Sequence, residues 1–500
     1  MNNAMYEDEI KILKNIFRRR IRHYQRSKNR IIIGNHSKYK DLKQRKDYYC
    51  SIKNELIDAI NCFRANNEII IDKPFMHIDN ISFLSNNGDW LGKVFIYNGQ
   101  ILRGINAESV DKFFELWKTG IIQTLGNYGF FPQTTISDYY TDNYPIVLQH
   151  KAISKNTSKT WCFEMIKDAC IQACLLRDVL EVFGYTLYDG HLNNMVFNRN
   201  TPVFIDIGSV VKNDSDRDGF SWELAFSGLY RMIFYLFGNN MLKHIQVYDE
   251  ANNSIWIKPW NYDNALEEHY YFLKKYKAYG IIHNSILVNY LIFKVFDCYD
   301  LRPEYIDLLF TYKQTHIDLY VGDVENSDIV LALKDVQDVL GINIDSYYLI
   351  KKLAEIKDCN YRLIVDDDYI ANTVYKREKE CKGTIGVFLH NIMYSADDVS
   401  IQNIRSDLVI VENVTSNVTG FHSFKYDALV SNLAMISKKY LYVSIEGEDK
   451  EFLRELTDRF VIKEERYNNV GSINKKYIFC ILKERENEKR NTDKKIWKST

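Results

Sequence analysis

What this chain of 500 residues lacks narrows its class first. Its formal net charge is only −1, so no whole-molecule field draws it to nucleic acid or an acidic membrane, and any such attraction must come from local patches. No uninterrupted apolar run approaches the roughly 18 residues that cross a bilayer. The N-terminus is polar and charged and carries no apolar signal core. The nine cysteines are odd in number, scattered, and form no Cys-x-x-Cys pair, which argues against a disulfide framework or a structural zinc site. Cys170 and Cys174 share a helix face and read as small apolar packing residues. These absences fit a reducing cytoplasm.

What is present is ample core material. Hydrophobic residues make up 46% of the chain and aromatics 14%, enough for large cores, and the length suggests roughly two to four domains. Residues 1–75 look helical, and Arg18, Arg19, Arg20, Arg22, Arg26, Lys28 and Arg30 make that extension basic. It reads either as a solvated helix face or as a contact for phosphate-rich surfaces.

Chemistry concentrates between Tyr185 and Val210. Tyr188-Asp189-Gly190-His191-Leu192-Asn193-Asn194 is followed, after a turn through Asn198-Arg199-Asn200-Thr201, by Pro202-Val203-Phe204-Ile205-Asp206-Ile207-Gly208. The order and spacing are those of kinase-fold phosphotransferases, in which the protein positions and neutralises a phosphoryl group more than it reacts with it. In that pattern Asp189 accepts the proton of an acceptor hydroxyl. Asn194 and Asp206 supply hard oxygen ligands to a magnesium ion bound with ATP. Asp, Gly and Asn also build ordinary turns; the long apolar helix predicted over 163–183 and the apolar strand running into Asp206 are what separate the two readings. His191, a lone loop histidine, reads as structural.

Upstream, Gly88 to Tyr97 and Gln100 to Ile105 read as strands joined by Asn98-Gly99, a type I′ hairpin signal. That hairpin is a candidate nucleotide cover, with Gly88 and Gly92 as candidate phosphate contacts or plain strand punctuation. Arg103 is a candidate for the cation that such sites usually take from lysine, although a planar fork is not a point charge. A helix is predicted over 107–118, with Glu115 or Glu108 as its orienting acid, or else as one partner of an exposed charge pair. Residues 144–150 read as the strand linking two lobes, and Trp222 to Tyr230 and Tyr270 to Phe296 as helices of the larger one.

From about residue 325 to 485 strands and helices alternate, which predicts a parallel, doubly wound sheet. Asp366 lies at a strand end, where an acid can bind ribose hydroxyls, or where Asp366, Asp367 and Asp368 form an acidic helix start.

The chain resembles bacterial proteins similar to the nodulation protein NoeA, over about residues 88–485. The likeness rests on Lys93 to Tyr97 with Leu102 to Ile105, on Val147 to His150, on Met165 to Ala169, and above all on Leu187 to Phe197 with Pro202 to Asp206; further along it rests on Val365 to Asp368 and Ser406 to Val411. It implies an α+β kinase-like two-lobed domain, residues 76–320, followed by an α/β Rossmann-like class I methyltransferase domain, residues 325–485, with a charged tail at 486–500. It also implies S-adenosylmethionine as a second cofactor, with Asp366 as its binding acid. The chain departs from the pattern at the first strand and loop: Gly341 stands where an acid is usual, and Asn343 and Tyr347 replace glycines. A tyrosine there is expected to obstruct the cofactor, so the domain reads as a degenerate methyltransferase. The expectation is a magnesium-dependent phosphotransferase acting on a hydroxyl of a glycan, small molecule or protein; an active methyltransferase and an inert scaffold are the alternatives.

Overall fold

The structure is a computed structural model that describes residues 42–67, 74–84, 89–153, 158–213, 246–249, 254–257, 328–366, 368–390, 392, 404–414, 426–447, 449–470 and 473–483. The basic residues 18–30, Gly88, the helices expected within 222–296 and the tail at 486–500 lie outside the described residues. The chain divides into two compact units, Met1–Ile306 and Asp307–Thr500.

In the first unit, helix α1 (Leu42–Asn66) buries Tyr49, Leu56 and Ile60, whose spacings of seven and four put them on one face. The Tyr49 hydroxyl donates to Asp178 Oδ2 at 2.8 Å. Strand β1 (Met76–His77) lies parallel to β6 (Tyr139–Tyr140). A five-stranded sheet contains β2 (Ser82–Phe83), β3 (Gly92–Tyr97), β4 (Gln100–Ile105), β5 (Thr134–Ile136) and β7 (Ile146–His150), in the order β2-β3-β4-β7-β5. All its pairings are antiparallel. At the β3–β4 turn, Asn98 and Gly99 both have positive φ, 49° and 75°, as a type I′ turn demands and as Asn-Gly predicts.

The helix expected over 107–118 begins instead as a 3₁₀ turn, Ala107–Ser109, before helix α2 (Val110–Trp117) buries Phe113, Leu116 and Trp117. Helix α3 (Ile121–Asn127) follows. The long helix α4 (Phe163–Val182) buries Phe163, Ile166, Cys170, Ala173, Cys174 and Leu180 among others. Burial around most of its circumference makes it the central post of this unit. From its end the chain forms β8 (Tyr185–Leu187), the hairpin β9 (Met195–Asn198) and β10 (Thr201–Phe204), and β11 (Val210–Lys212), which returns antiparallel to β8. A further hairpin joins β12 (Gln246–Asp249) to β13 (Ser254–Ile257).

The second unit holds helix α5 (Asp328–Leu333), β14 (Asp338–Ile342), α6 (Asp345–Ile356), β15 (Asn360–Val365), α7 (Asp368–Glu380), β16 (Ile385–Leu389) and β17 (Ser406–Val411). It continues through α8 (Tyr426–Ile436), β18 (Ser437–Glu446), α9 (Lys450–Arg459), β19 (Phe460–Val470) and β20 (Ile473–Leu482). The seven strands order as β16-β15-β14-β17-β18-β20-β19. The first five run parallel, and β20 runs antiparallel to both its neighbours. This is a doubly wound, Rossmann-like sheet, with its strand order reversing between β14 and β17. The central strands are largely apolar, since a parallel strand is covered on both faces: Val339, Leu340, Leu363, Val387, Val409 and Leu441 are all fully buried. The closing hairpin and α9 went beyond the alternation legible in the sequence.

Among the described residues no helix is long and apolar enough to cross a membrane.

Candidate active site

Two short ladders bring the predicted residues together. Leu187 pairs with Val210 across β8 and β11, so Asp189 and Asp206 leave that ladder from opposite strands. Ser209, buried between them, fixes the Asp189 backbone: its Oγ accepts the Asp189 N–H at 2.7 Å and donates to the Asp189 carbonyl at 3.1 Å, while the Tyr188 N–H donates to the Ser209 carbonyl at 2.8 Å. The β9–β10 hairpin fixes the third residue, since the Ile205 N–H donates to the Asn194 carbonyl at 2.8 Å. Asp206 lies two residues beyond β10 and not at its last position.

Each side chain is partly committed. Asp189 Oδ1 accepts the His191 N–H at 3.0 Å, and its Oδ2 has no hydrogen-bond partner among the described residues. The Asn194 amide nitrogen donates to the Asp189 carbonyl at 3.4 Å, leaving its oxygen as an acceptor. His191 Nδ1 accepts the Asn193 N–H at 3.1 Å, a capping role that satisfies the short 3₁₀ turn Leu192–Asn194.

Asp206 meets Arg103, which β4 holds in the middle of the five-stranded sheet opposite Leu148. The Arg103 Nη2 lies 3.3 Å from Asp206 Oδ1, and its Nη1 lies 2.5 Å from Asp89 Oδ2. Burial pushes the Asp206 carboxyl up to about 6; the charges of Asp89 and Asp189 add to the shift and Arg103 opposes it. Asp206 therefore feels two other carboxylates, Asp89 and Asp189, and shares the Arg103 guanidinium with the first. His150, at the end of β7, is pushed down to about 3 by burial and by Arg103, and its Nδ1 sits 2.9 Å from Thr134 Oγ1.

The remaining candidates fall elsewhere. Glu115 does not reach Arg103; it pairs with Lys212 on the surface at 2.6 Å, an exposed pair of small energetic consequence. Gly92 supports the hairpin: with φ at 151°, its missing Cβ would stand 1.8 Å from the Gly104 carbonyl oxygen. Asp89 and Trp90 were not singled out in the sequence, although they lie inside the Gly88 to Gly92 segment. Nothing in the spacing announced Ser209, whose role is purely tertiary.

In the second unit the carboxyl ends of β14 and β17 meet at the point of strand-order reversal, where ligands of doubly wound sheets sit. Ser346, fully buried, spans that point: its Oγ lies 2.6 Å from the Ile342 carbonyl and 3.2 Å from that of Ile410, and accepts the Glu412 N–H at 3.0 Å. Glu412 Oε2 accepts from Ser444 Oγ at 2.6 Å and from Lys475 Nζ at 3.2 Å. A polar seam of the chain's own side chains thus crosses the carboxyl edge from β14 to β20. Asn343 has φ 67°, the left-handed form that a glycine would take at no cost. Tyr347 is turned into the helix layer, with its hydroxyl donating to Glu378 Oε1 at 2.6 Å. Its hydroxyl thus joins α6 to α7. Asp366 follows the last residue of β15, half-buried.

Among the described residues, no three or more His, Cys, Asp or Glu side chains form a group that could hold a metal ion. Magnesium needs less: one or two carboxylates, with water and phosphate oxygens completing its shell. Asp206 with the Asn194 oxygen fits that requirement.

No family profile matches the chain, and no curated protein sequence does. Among solved structures, the chain is similar to the N-methyltransferase NodS from Bradyrhizobium japonicum WM9, with 14% identity over 31% of this chain and 92% of that one and a TM-score of 0.26. It is also similar to the magnesium protoporphyrin IX methyltransferase ChlM from Synechocystis PCC 6803 with bound SAM, at 13% identity over 35% of this chain and 82% of that one, with a TM-score of 0.27. TrmN from Thermus thermophilus stands at 10% identity, 31% and 48% coverage and a TM-score of 0.27.

Proposed function

We propose that the first unit is a kinase-like, magnesium-dependent phosphotransferase that uses ATP on a hydroxyl acceptor. The observation that carries this reading is the pairing of Asp206 and Asp89 on Arg103, with Asp206 pushed up to about 6 by burial and by the charges of Asp89 and Asp189. Clustered, partly buried carboxylates raise one another's proton affinity, and a divalent cation is the ordinary relief for that repulsion. Supporting it is a five-stranded antiparallel sheet that presents Arg103, a helix α4 that leads into the Asp189 loop, and a hairpin that separates Asn194 from Asp206.

The roles follow from what each side chain has left to offer. Asp189 uses one oxygen to hold its own loop, and the other accepts the acceptor's proton. Asn194 and Asp206 would hold magnesium, which when bound neutralises phosphate charge. Arg103 lies against Asp206 and offers its planar fork to phosphate oxygens. Gly92 and the exposed Glu115 take no part. The test is ATP consumption in the presence of magnesium: Asp206→Ala and Asp189→Ala should each lower it by about a hundredfold or more, the scale of losing a positioned catalytic group. Equal turnover by the wild type and both variants sinks the reading.

A second reading, S-adenosylmethionine-dependent methyl transfer by the second unit, is favoured by the strand order around β14 and by the left-handed backbone at Asn343. Against it stands the polar seam through Ser346 at the strand-order reversal. Calorimetric titration with S-adenosylmethionine separates the two readings: saturable binding that Asp366→Ala weakens tenfold supports methyl transfer, and silence removes it.

A further inference from the structure

Asp89 places an anion on the same guanidinium that an incoming phosphate would meet. Its Oδ1 accepts the N–H groups of Leu91 at 2.8 Å and Gly92 at 2.9 Å, so the carboxylate is locked in its own turn, and its Oδ2 takes Arg103 Nη1 at 2.5 Å. The neighbouring Trp90 anchors the turn across the site. Its Nε1 donates to the Gly208 carbonyl at 2.6 Å, and its own carbonyl accepts from Ser109 Oγ at 2.5 Å and Asn106 Nδ2 at 3.3 Å. Gly208 leaves open the space that Asp89 fills. Arg103 is only 5% exposed, and its Nε has no partner among the described residues.

The charges then matter more than the contacts. Asp89, Asp189 and Asp206 outnumber Arg103, so a bare polyphosphate approaches a site of its own sign, and the two Nη groups that would receive it already face Asp89 and Asp206. A polyphosphate that carries a divalent cation brings positive charge to Asp206 and Asp189 and can compete for Arg103. With Arg103 itself buried, this difference is only partly screened.

We infer that Asp89 is a specificity-determining residue of this site: its carboxylate stands on Arg103 in place of a phosphate oxygen, so only a polyphosphate arriving with a divalent cation displaces it. The inference rests on the phosphotransferase reading above. It makes the cation a condition of binding as well as of chemistry.

The experiment is calorimetric titration of the full chain with ATP in EDTA and with ATP plus magnesium, for the wild type, Asp89→Asn, Asp89→Ser and the double variant Asp89→Asn with Arg103→Gln. Asparagine keeps an oxygen for the Leu91 and Gly92 N–H groups and turns an NH2 donor toward Arg103, so both the charge and the acceptor on the guanidinium are lost; serine keeps a shorter acceptor and withdraws from Arg103. Asp89→Asn should tighten metal-free ATP by about tenfold or more, which is about 1.4 kcal/mol, and change the magnesium complex by less than about threefold. The Arg103→Gln change should erase that gain. Should both single variants keep the wild-type dependence on magnesium, or weaken both forms of ATP alike, the inference is overturned while the phosphotransferase reading stands on the wild type's binding. If no protein binds ATP in either form, both fall. Failure of both single variants to fold, read by circular dichroism, also overturns it, because the charge would then be a structural requirement and not a displaceable anion.

Discussion

Gly208 is a glycine because Asp89 lies where its side chain would be: a Cβ built there would stand 2.0 Å from Asp89 Oδ2 and 2.3 Å from its carboxyl carbon. The carboxylate cannot simply swing away, since Leu91, Gly92 and Arg103 hold it. Gly208→Ala should therefore destabilise the protein by about 1–3 kcal/mol, the usual cost of overpacking. The cost should shrink by more than half in an Asp89→Ser background, a coupling that a double-mutant cycle in urea measures. Additive losses would show that the two residues do not press on each other.

The raised Asp206 carboxyl has a signed consequence for stability. Its folded value of about 6 lies above the ordinary 3.8 of an aspartate, so between these pH values the folded state binds more protons than the unfolded one, and stability falls as pH rises through the window. His150, depressed to about 3 from 6.5, acts the other way over an overlapping range, because its folded form resists the proton that the unfolded chain takes up. The net curve mixes both, so the variant difference is the useful quantity. Asp206→Asn should gain stability relative to the wild type as pH rises from 4 to 7, by an amount on the order of 2 kcal/mol, read as melting temperature against pH. A constant difference across that range would refute the raised carboxyl.

Ser209 holds the Asp189 backbone from both sides and is itself buried. Ser209→Ala leaves a buried N–H without its acceptor, at a cost of about 1–3 kcal/mol. On the phosphotransferase reading it should also lower kcat more than it raises KM, because the residue positions a catalytic group and touches no substrate. Unchanged turnover in a folded variant would place Asp189 outside the chemistry.

In the second unit, the Tyr347 hydroxyl donates to Glu378, whose side chain is only 1% exposed. The other Glu378 oxygen accepts the Ile385 N–H at 3.3 Å, and Lys351 Nζ stands 3.6 Å from the first. Tyr347→Phe should cost about 1–3 kcal/mol, because the carboxylate loses a donor that water cannot replace. Chemical denaturation measures it, and a loss under about 0.5 kcal/mol would mean that Lys351 alone satisfies the group.

Much of this was readable along the chain because the signals are local. Asn98-Gly99 dictates a turn by its own backbone freedom, and the alternation after residue 325 dictates a doubly wound sheet by period and length. The spacing of Asp189, Asn194 and Asp206 predicted a shared site, and the β8–β11 and β9–β10 ladders bring their backbones together. Glu115 was left open between orienting Arg103 and forming an exposed charge pair, because a helix pattern gives the buried face but not which neighbour an exposed acid finds; it pairs with Lys212. That the Tyr347 hydroxyl would reach Glu378 was not legible, because substitution of a glycine says that space is filled without saying in which direction.

By itself the sequence determined the elements, the turns and the apolar strands, since these follow from backbone preference and from periodic burial within a few residues. Tertiary structure alone decided that Asp89 would sit on Arg103 and against Gly208, and that Ser346 would bridge Ile342 and Ile410. Apart from Ser346 to Ile342, such contacts join residues 14 to 119 positions apart. Their partners are chosen by sheet register and by which side chains remain unsatisfied once the backbone has packed.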